Sequence, residues 1–465
     1  MGAITDATDA PERTWRQSRF NVIARQPSGA VVFYNSATGA IVEIPAPLGG
    51  EVARHLQAGD RTPALDDSVL KHLQRAGLLV PAGRDELAAA DLLRERTRGA
   101  AGRLQLALLP TEECNFRCTY CYENFALGRM PGAVVTGLKR YATARAPELR
   151  ALEVYWFGGE PLCALDVIED LSNHFIGLSR EYGFRYRAGI TSNCYELTRV
   201  ALGRLLAAQV DRIQVTLDGP REAHDGRRRR CDGGATFDTI VSRLREVSAL
   251  EARVRVTIRV NFDADNHYRI PELIDLLAAQ FGPDDRFFIY FRPVGAWGGP
   301  SDTAPVLDEA TATQRAMAFY DLAIRAGLRT DWVQSNLRPG GYVCSAAMPY
   351  QYVIRADGRV QKCTVALAED EINTVGRLLP DGQMALDASA LARWVNQDEN
   401  IDTACQRCFF RMPCQGASCP LVRIRAGRPP CPPEKARIME VISMLAAATR
   451  ERRTSRVDAS LECPM

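Results

Sequence analysis

Two hydrophobic periodicities divide the chain. From Ser18 to Arg94 the apolar positions come in short alternating runs, FNVIAR (20–25), AVVFYN (30–35) and AIVEI (40–44), separated by the turn-forming PSG and SATG. Period-two runs bounded by such turns predict three strands. Two stretches of helical period follow. One begins near Pro47 and carries Val52 and Leu56; the other, DDSVLKHLQRAG, opens on an aspartate cap and closes at Gly77. LLVP (78–81) predicts a last strand. This is a small α+β, winged-helix-like module. Its sheet edge could take up a peptide as a further strand, or the module could serve packing alone. Residues 86–102, ELAAADLLRERTRGAAG, predict a helix running into a linker.

From Leu104 the pattern changes to strands alternating with helices. The predicted strands are LQLALL (104–109), LEVYWF (152–157), RAGITSN (187–193), DRIQVTLDG (211–219), VRVTIRVNF (254–262) and RFFIYFRP (286–293). The intervening helices cover Ala133–Ala144, Ala164–Tyr182, Leu197–Ala208, Phe237–Leu250 and Ile270–Gln280. Six βα-like repeats predict an α/β fold, a parallel sheet or partial (β/α)6 barrel. Chemistry in such folds sits on loops at the carboxyl ends of the strands. A helix follows over Glu309–Ala326. From Cys344 onward the chain is rich in cysteine and loops, with a hairpin turning at Asp357-Gly358 and a last amphipathic helix over Lys435–Ala448. The tail beyond is polar and is expected to fray, apart from Cys463.

Composition excludes several classes. The chain has 465 residues, 46% hydrophobic and 25% charged, with a net charge of +2. That balance gives no field arguing for nucleic acid or membrane. MGAITDATDAPERTW lacks the apolar core of a signal peptide, and no apolar run is long enough to span a bilayer. A cytoplasmic location is expected. The 14 cysteines therefore read as metal or cluster ligands rather than as a secreted disulfide scaffold.

Three of them, Cys114, Cys118 and Cys121, lie on one loop directly after the first strand of the repeat region, spaced C-x3-C-x2-C. Three thiolates on a short loop can hold three irons of a cubane cluster and leave the fourth open to a small molecule. Tyr120 places an aromatic ring where it could lie beside a purine. Gly158-Gly159-Glu160-Pro161 ends the next strand; alone it is an ordinary turn, but its glycines allow close backbone approach and its carboxylate could accept hydrogen bonds from an ammonium. Cys163, Cys194 and Cys231 stand isolated, and the Arg227–Arg230 run reads as a solvated face. Seven further cysteines, Cys344, Cys363, Cys405, Cys408, Cys414, Cys419 and Cys431, exceed what one zinc ribbon would use.

The loop CNFRCTYC, the GGEP turn, TSN (191–193) and QVTLDGPREAHDGRRR (214–229) together resemble the radical S-adenosylmethionine (SAM) enzymes. The resemblance implies a [4Fe–4S] cluster on Cys114, Cys118 and Cys121 with SAM at its open iron. The SAM amine would lie on the Gly158-Gly159-Glu160 turn, and Tyr120, Asn193 and Thr216 would contact the nucleoside. Reductive cleavage of SAM would release a 5′-deoxyadenosyl radical. Asp218, His224, Asp225 and Arg227 would hold structure or position substrate. The C-terminal cysteines resemble the SPASM extension of the same enzymes, with an outer auxiliary [4Fe–4S] cluster on Cys405, Cys408, Cys414 and Cys431 and an inner one on Cys344, Cys363 and Cys419.

Departures from the family pattern narrow the function. Four residues separate Cys414 from Cys419 where three are usual, and no cysteine just before Cys344 completes the inner set, which could leave an open iron there. Relatives that make formylglycine in sulfatases carry an aspartate base after the hairpin cysteine; Thr364 stands here. The expected organisation is a flexible start (1–17), a peptide-recognition-like module (18–98), a radical SAM core (99–335), a SPASM domain (336–450) and a tail (451–465). The expected function is maturation of a ribosomally made precursor peptide by a thioether or carbon–carbon cross-link, with flavodoxin or ferredoxin as reductant. The alternatives are a formylglycine-type maturase and a non-catalytic cluster or zinc scaffold.

Overall fold

The computed structural model describes residues 15–58, 65–297, 304–368, 370–396 and 403–461. Cys463 and the first fourteen residues of the expected flexible start lie outside the described residues. The chain opens with β1 (Trp15–Gln17), β2 (Asn21–Arg25), β3 (Val31–Asn35) and β4 (Ala40–Ile44). β3 is buried along its whole length, which makes it the centre of the antiparallel sheet β2–β3–β4. Its alternation serves two cores. Val31 and Phe33 pack with Val52, Leu56 and Leu73 of the helices Leu48–Gln57 and Asp67–Arg75, while Val32 and Tyr34 join the main core. Asp66 caps the second of these helices through the Ser68 amide, as its position predicts. β5 (Leu79–Pro81) does not extend this sheet; it pairs antiparallel with β1. The helix Glu86–Arg98 leads to the main sheet.

The six strands expected of the repeat region form as β6 (Arg103–Thr111), β8 (Ala151–Gly158), β9 (Arg185–Thr191), β10 (Val210–Thr216), β12 (Arg255–Phe262) and β13 (Phe287–Pro293). Two short strands, β7 (Phe116–Cys118) and β11 (Arg228–Arg230), stand apart as an antiparallel ribbon. The six lie parallel in chain order, β6-β8-β9-β10-β12-β13, so all their carboxyl ends share one rim. Amphipathic connecting helices bury stripes such as Leu171, Phe175 and Leu178, each side chain contributing about 1.5–3 kcal/mol of transfer free energy.

The sheet continues past β6. β14 (Gln351–Ile354) lies parallel beside it, and β15 (Arg359–Gln361), β16 (Thr374–Leu378) and β17 (Met384–Leu386) follow antiparallel, giving ten strands among the described residues. The sheet therefore runs across the boundary expected at residue 335/336. The hairpin between β14 and β15 turns where predicted, with Gly358 at φ +84°. The last helix differs from expectation. A short helix, Pro433–Ala436, precedes Ile438–Leu461, so the segment expected to fray is helical backbone to Leu461. This helix lies against the N-terminal sheet, where Ser443 Oγ accepts from Gln26 at 2.7 Å and Arg450 pairs with Glu43 at 2.8 Å. Among the described residues no helix is long and apolar enough to cross a membrane.

Candidate active site

The cysteine loop leaves the carboxyl end of β6 and is pinned by the β7–β11 ribbon. Cys118 stands directly opposite Arg228, and Arg117 opposite Arg229. Thr119 N–H donates to Arg227 O at 2.9 Å and Cys231 N–H to Asn115 O at 2.8 Å. The expectation of a solvated arginine face is corrected for half of that run. Arg227 is buried in a bidentate pair with Asp263 (3.0 and 2.6 Å), and buried Arg228 donates to the Tyr120 hydroxyl at 2.7 Å. The cause is pairing: strand register and two acids turn these cations inward, while Arg229 points out. Tyr120 also bonds Asp218 and accepts from Asn261 Nδ2 at 3.1 Å, and the Arg227 guanidinium sits 5.1 Å from its ring centre. His224 Nδ1 accepts from the Asp218 amide at 3.2 Å, and Asp225 accepts from the Thr236 and Phe237 amides at 2.8 and 2.9 Å. These are structural duties.

Cys114, Cys118 and Cys121 are half-buried. Burial pushes all three thiols above their ordinary range, Cys121 up to about 12 with Glu123 and Cys118 adding to the effect; at Cys118 the Arg228 guanidinium opposes it. Three crowded thiolates are unfavourable without cations between them. One iron per sulfur would supply that charge, so the donor set fits a cluster.

The GGEP turn presses on this loop. Gly158 has φ +114°, and a Cβ on Gly159 would lie 2.1 Å from Glu113 O and 2.7 Å from Glu112 O. Glu160 is fully buried. Its Oε1 accepts from Leu162 N–H (3.0 Å) and Ser192 Oγ (2.8 Å), and its Oε2 from Asn193 N–H (2.6 Å). The carboxylate thus ties the turn to the end of β9. Asn193 Nδ2 donates to Asn115 Oδ1 at 2.7 Å, returning to the cysteine loop. Thr216 is buried at the end of β10. All the residues expected at the SAM site therefore stand on neighbouring loops or strand ends of one rim.

The C-terminal cysteines fall into two groups. Cys405, Cys408, Cys414 and Cys431 line a single cavity, whose wall also includes Ala90 and Arg94 of the helix Glu86–Arg98. Cys344, Cys363 and Cys419 form the other. Burial pushes the Cys363 thiol up to about 12, with Cys344 and Cys419 contributing. The unusual four-residue gap after Cys414 is taken up by two left-handed residues, Gln415 (φ 52°) and Gly416 (φ 71°). Among the described residues no three His, Cys, Asp or Glu side chains converge on one ion-sized point; a cubane takes one thiolate per iron. Cys194 is buried, and Cys163 and Cys231 are exposed.

Residues 108–277 match the Radical SAM superfamily. The chain carries a radical SAM domain. A radical SAM enzyme uses SAM and a [4Fe–4S] cluster. Over 262 residues the chain is 26% identical to the PqqA peptide cyclase of Gluconobacter oxydans, covering 55% of this chain and 68% of that one. Over 181 residues it is 30% identical to the GTP 3′,8-cyclase of Mycolicibacterium smegmatis, covering 38% of this chain and 46% of that one. Against the solved structure of native anSMEcpe with bound AdoMet and Cp18Cys peptide the TM-score is 0.56 at 16% identity, covering 75% of this chain and 99% of the other. At that identity the likeness carries the fold.

Two buried features beside the site are not legible in the sequence. Glu112, just after β6, forms a buried ion pair with Arg355, just after β14. Glu123, two residues beyond Cys121, is buried with Oε2 unpartnered. Only the parallel β6–β14 register brings the pair together, and nothing in the sequence announces that register.

Proposed function

We propose that this radical SAM enzyme is a peptide maturase. It would remove a hydrogen from a ribosomally made precursor peptide and close a thioether or carbon–carbon cross-link. The observation that carries the reading is the joining of the half-buried thiols of Cys114, Cys118 and Cys121 to a turn, Gly158–Gly159, whose backbone approach leaves no room for a side chain. The peptide substrate is supported by the likeness to the PqqA peptide cyclase of Gluconobacter oxydans.

In this reading Cys114, Cys118 and Cys121 hold the [4Fe–4S] cluster, and the Gly158-Gly159-Glu160 turn receives the SAM amine. Glu160 acts as a positioning residue through Ser192 and Asn193. Tyr120, Asn193 and Thr216 flank the nucleoside, with Tyr120 held by Asp218, Arg228 and Asn261. When bound, the cofactors supply a 5′-deoxyadenosyl radical; the protein positions its target and excludes water. Cys405, Cys408, Cys414 and Cys431 would hold an outer auxiliary cluster, and Cys344, Cys363 and Cys419 an inner one. The precursor's leader would dock on the edge of the β2–β3–β4 sheet. Thr364, which cannot act as a carboxylate base, separates this chain from the formylglycine-forming enzymes. Coexpression with the peptide of a neighbouring small open reading frame, followed by mass spectrometry, tests the reading. A loss of two hydrogens mapped to a cross-link supports it; an unmodified peptide beside iron-replete enzyme refutes it.

A further inference from the structure

Alternation along β12 sends Val256, Ile258, Val260 and Phe262 into the main core beneath the helices. Arg259 and Asn261 therefore point to the opposite, inner face of the sheet. The parallel register sets Arg259 between Thr216 of β10 and Tyr290 of β13, beside a residue of the proposed SAM site. On β6, β8 and β14 the same inner face is apolar, where Ala107, Leu109, Val353 and Leu367 pack with Tyr122 and Phe157. Tyr122 links the two sides. Burial pushes its hydroxyl well above the ordinary range and Glu123 adds to this, while the Arg259 guanidinium opposes it. Neighbouring cations are already engaged. Arg227 pairs with Asp263, and Arg228 donates to Tyr120. Tyr290, then Tyr342 and Cys419, hold the Arg292 guanidinium above its ordinary range against burial, which assigns it to the inner cysteine set. Arg259 differs. Its Nε donates to Asn261 Oδ1 at 2.8 Å, but among the described residues its Nη groups meet no carboxylate and no other acceptor. The side chain is half-buried. A charge partly withdrawn from water beside apolar groups is unfavourable until an anion reaches it.

We propose that Arg259 is a specificity-determining residue that binds a carboxylate of the precursor peptide, an aspartate or glutamate side chain in or next to the segment offered to the radical. The inference rests on the peptide-maturase reading and names the class of residue its site selects. Two Nη donors match the two oxygens of a carboxylate, and the pair is charge-assisted. An asparagine or glutamine would fill the hydrogen bonds without offsetting the charge. The SAM carboxylate is the other source of the same chemistry, because Thr216 is the lateral neighbour of Arg259. Arg259 also steadies Asn261, which donates to the Tyr120 hydroxyl at 3.1 Å. A residue confined to that duty would not tell an acidic peptide from its amide.

The test uses the reconstituted, iron-replete holoenzyme with SAM. The probe is the peptide of the neighbouring small open reading frame, made with each aspartate changed to asparagine and each glutamate to glutamine, one at a time. Affinity is read by calorimetry. One such change is expected to weaken binding to the wild-type enzyme by about tenfold or more. Arg259→Gln should bind the parent peptide as weakly as the wild type binds that amide, and should not distinguish the two peptides. SAM affinity without peptide should be the same in wild type and Arg259→Gln. The wild-type arm needs no variant to fold. A wild-type enzyme indifferent to every amide change, an equal penalty in wild type and Arg259→Gln, or a loss of SAM affinity in Arg259→Gln would each overturn the proposal, the last by moving the guanidinium to the SAM carboxylate. A parent peptide that the wild type neither binds nor modifies would instead sink the maturase reading, a result that the parent peptide alone separates from a failure of selectivity.

Discussion

The buried pair between Glu112 and Arg355 joins the cysteine loop to the C-terminal hairpin, and its removal should open that seam. Arg355 Nε donates to Glu112 Oε1 at 3.0 Å and Nη2 to Oε2, while Nη1 donates to Leu367 O at 2.9 Å. Ala356 N–H adds a longer bond to Oε1 at 3.3 Å. The two side chains are only 5% and 3% exposed, so water screens the pair very little. Arg355→Met leaves a carboxylate buried without its cation, which costs about 3–5 kcal/mol. At about 1.4 kcal/mol per decade, local opening of the β6–β14 pairing should become two to three and a half orders of magnitude more frequent. Hydrogen exchange at the Val353 and Ile354 amides, which lie in that pairing, reads the effect directly and does not require the whole chain to unfold as one unit. Replacing both partners, Glu112→Leu with Arg355→Met, should restore protection to within about tenfold, because the isolated charge rather than the missing pair carries the penalty. If the single change raises exchange less than tenfold, or the double change is no better protected than the single one, the pair does not hold the seam.

Three further outcomes are expected. Gly159→Ala must push its new methyl into the Glu112 and Glu113 carbonyls; backbone cannot rotate away, so the change should cost about 1–3 kcal/mol or more and reduce both iron retention and SAM binding, measured by iron assay and calorimetry. Tyr120→Phe removes the hydroxyl shared by Asp218, Arg228 and Asn261 and should cost about 1–3 kcal/mol, seen as a lower melting temperature and faster iron loss. Burial, with Glu112 adding, pushes the Glu123 carboxyl up from 4.5 to about 8. Its contribution to stability is therefore complete below 4.5 and is lost as pH rises towards about 8. Glu123→Gln should grow more stable relative to wild type across that window, and parallel unfolding midpoints against pH would contradict this.

Much of the architecture was legible because period and turn chemistry act locally. The six strands and their helices follow from alternating and helical stripes such as Leu171, Phe175 and Leu178, and the hairpin at Gly358 from a residue tolerating positive φ. What stayed hidden depended on distant pairing. The Arg227–Arg230 run looks solvated until β11 meets β7 and Asp263 meets Arg227. Glu160 invites a role facing a ligand, yet its three bonds run to Leu162, Ser192 and Asn193, one of them a near neighbour and two on the next strand end. The continuation of the sheet into β14–β17, and with it the Glu112–Arg355 pair, arises from a register between segments more than 240 residues apart. The C-x3-C-x2-C and C-x2-C-x5-C spacings, by contrast, keep Cys114, Cys118 and Cys121, and Cys405, Cys408 and Cys414, close along the chain, whereas nothing in the spacing brings Cys431 to the cavity that it lines with the latter three.

The account stands most directly on whether the Cys114–Cys118–Cys121 loop drives cleavage of SAM. Anaerobically reconstituted protein, supplied with SAM and dithionite, should release 5′-deoxyadenosine detectable by mass spectrometry, and Cys118→Ala should release none. Absence of 5′-deoxyadenosine from wild-type protein whose iron loading is complete, or its undiminished release by the Cys118→Ala variant, would contradict the account.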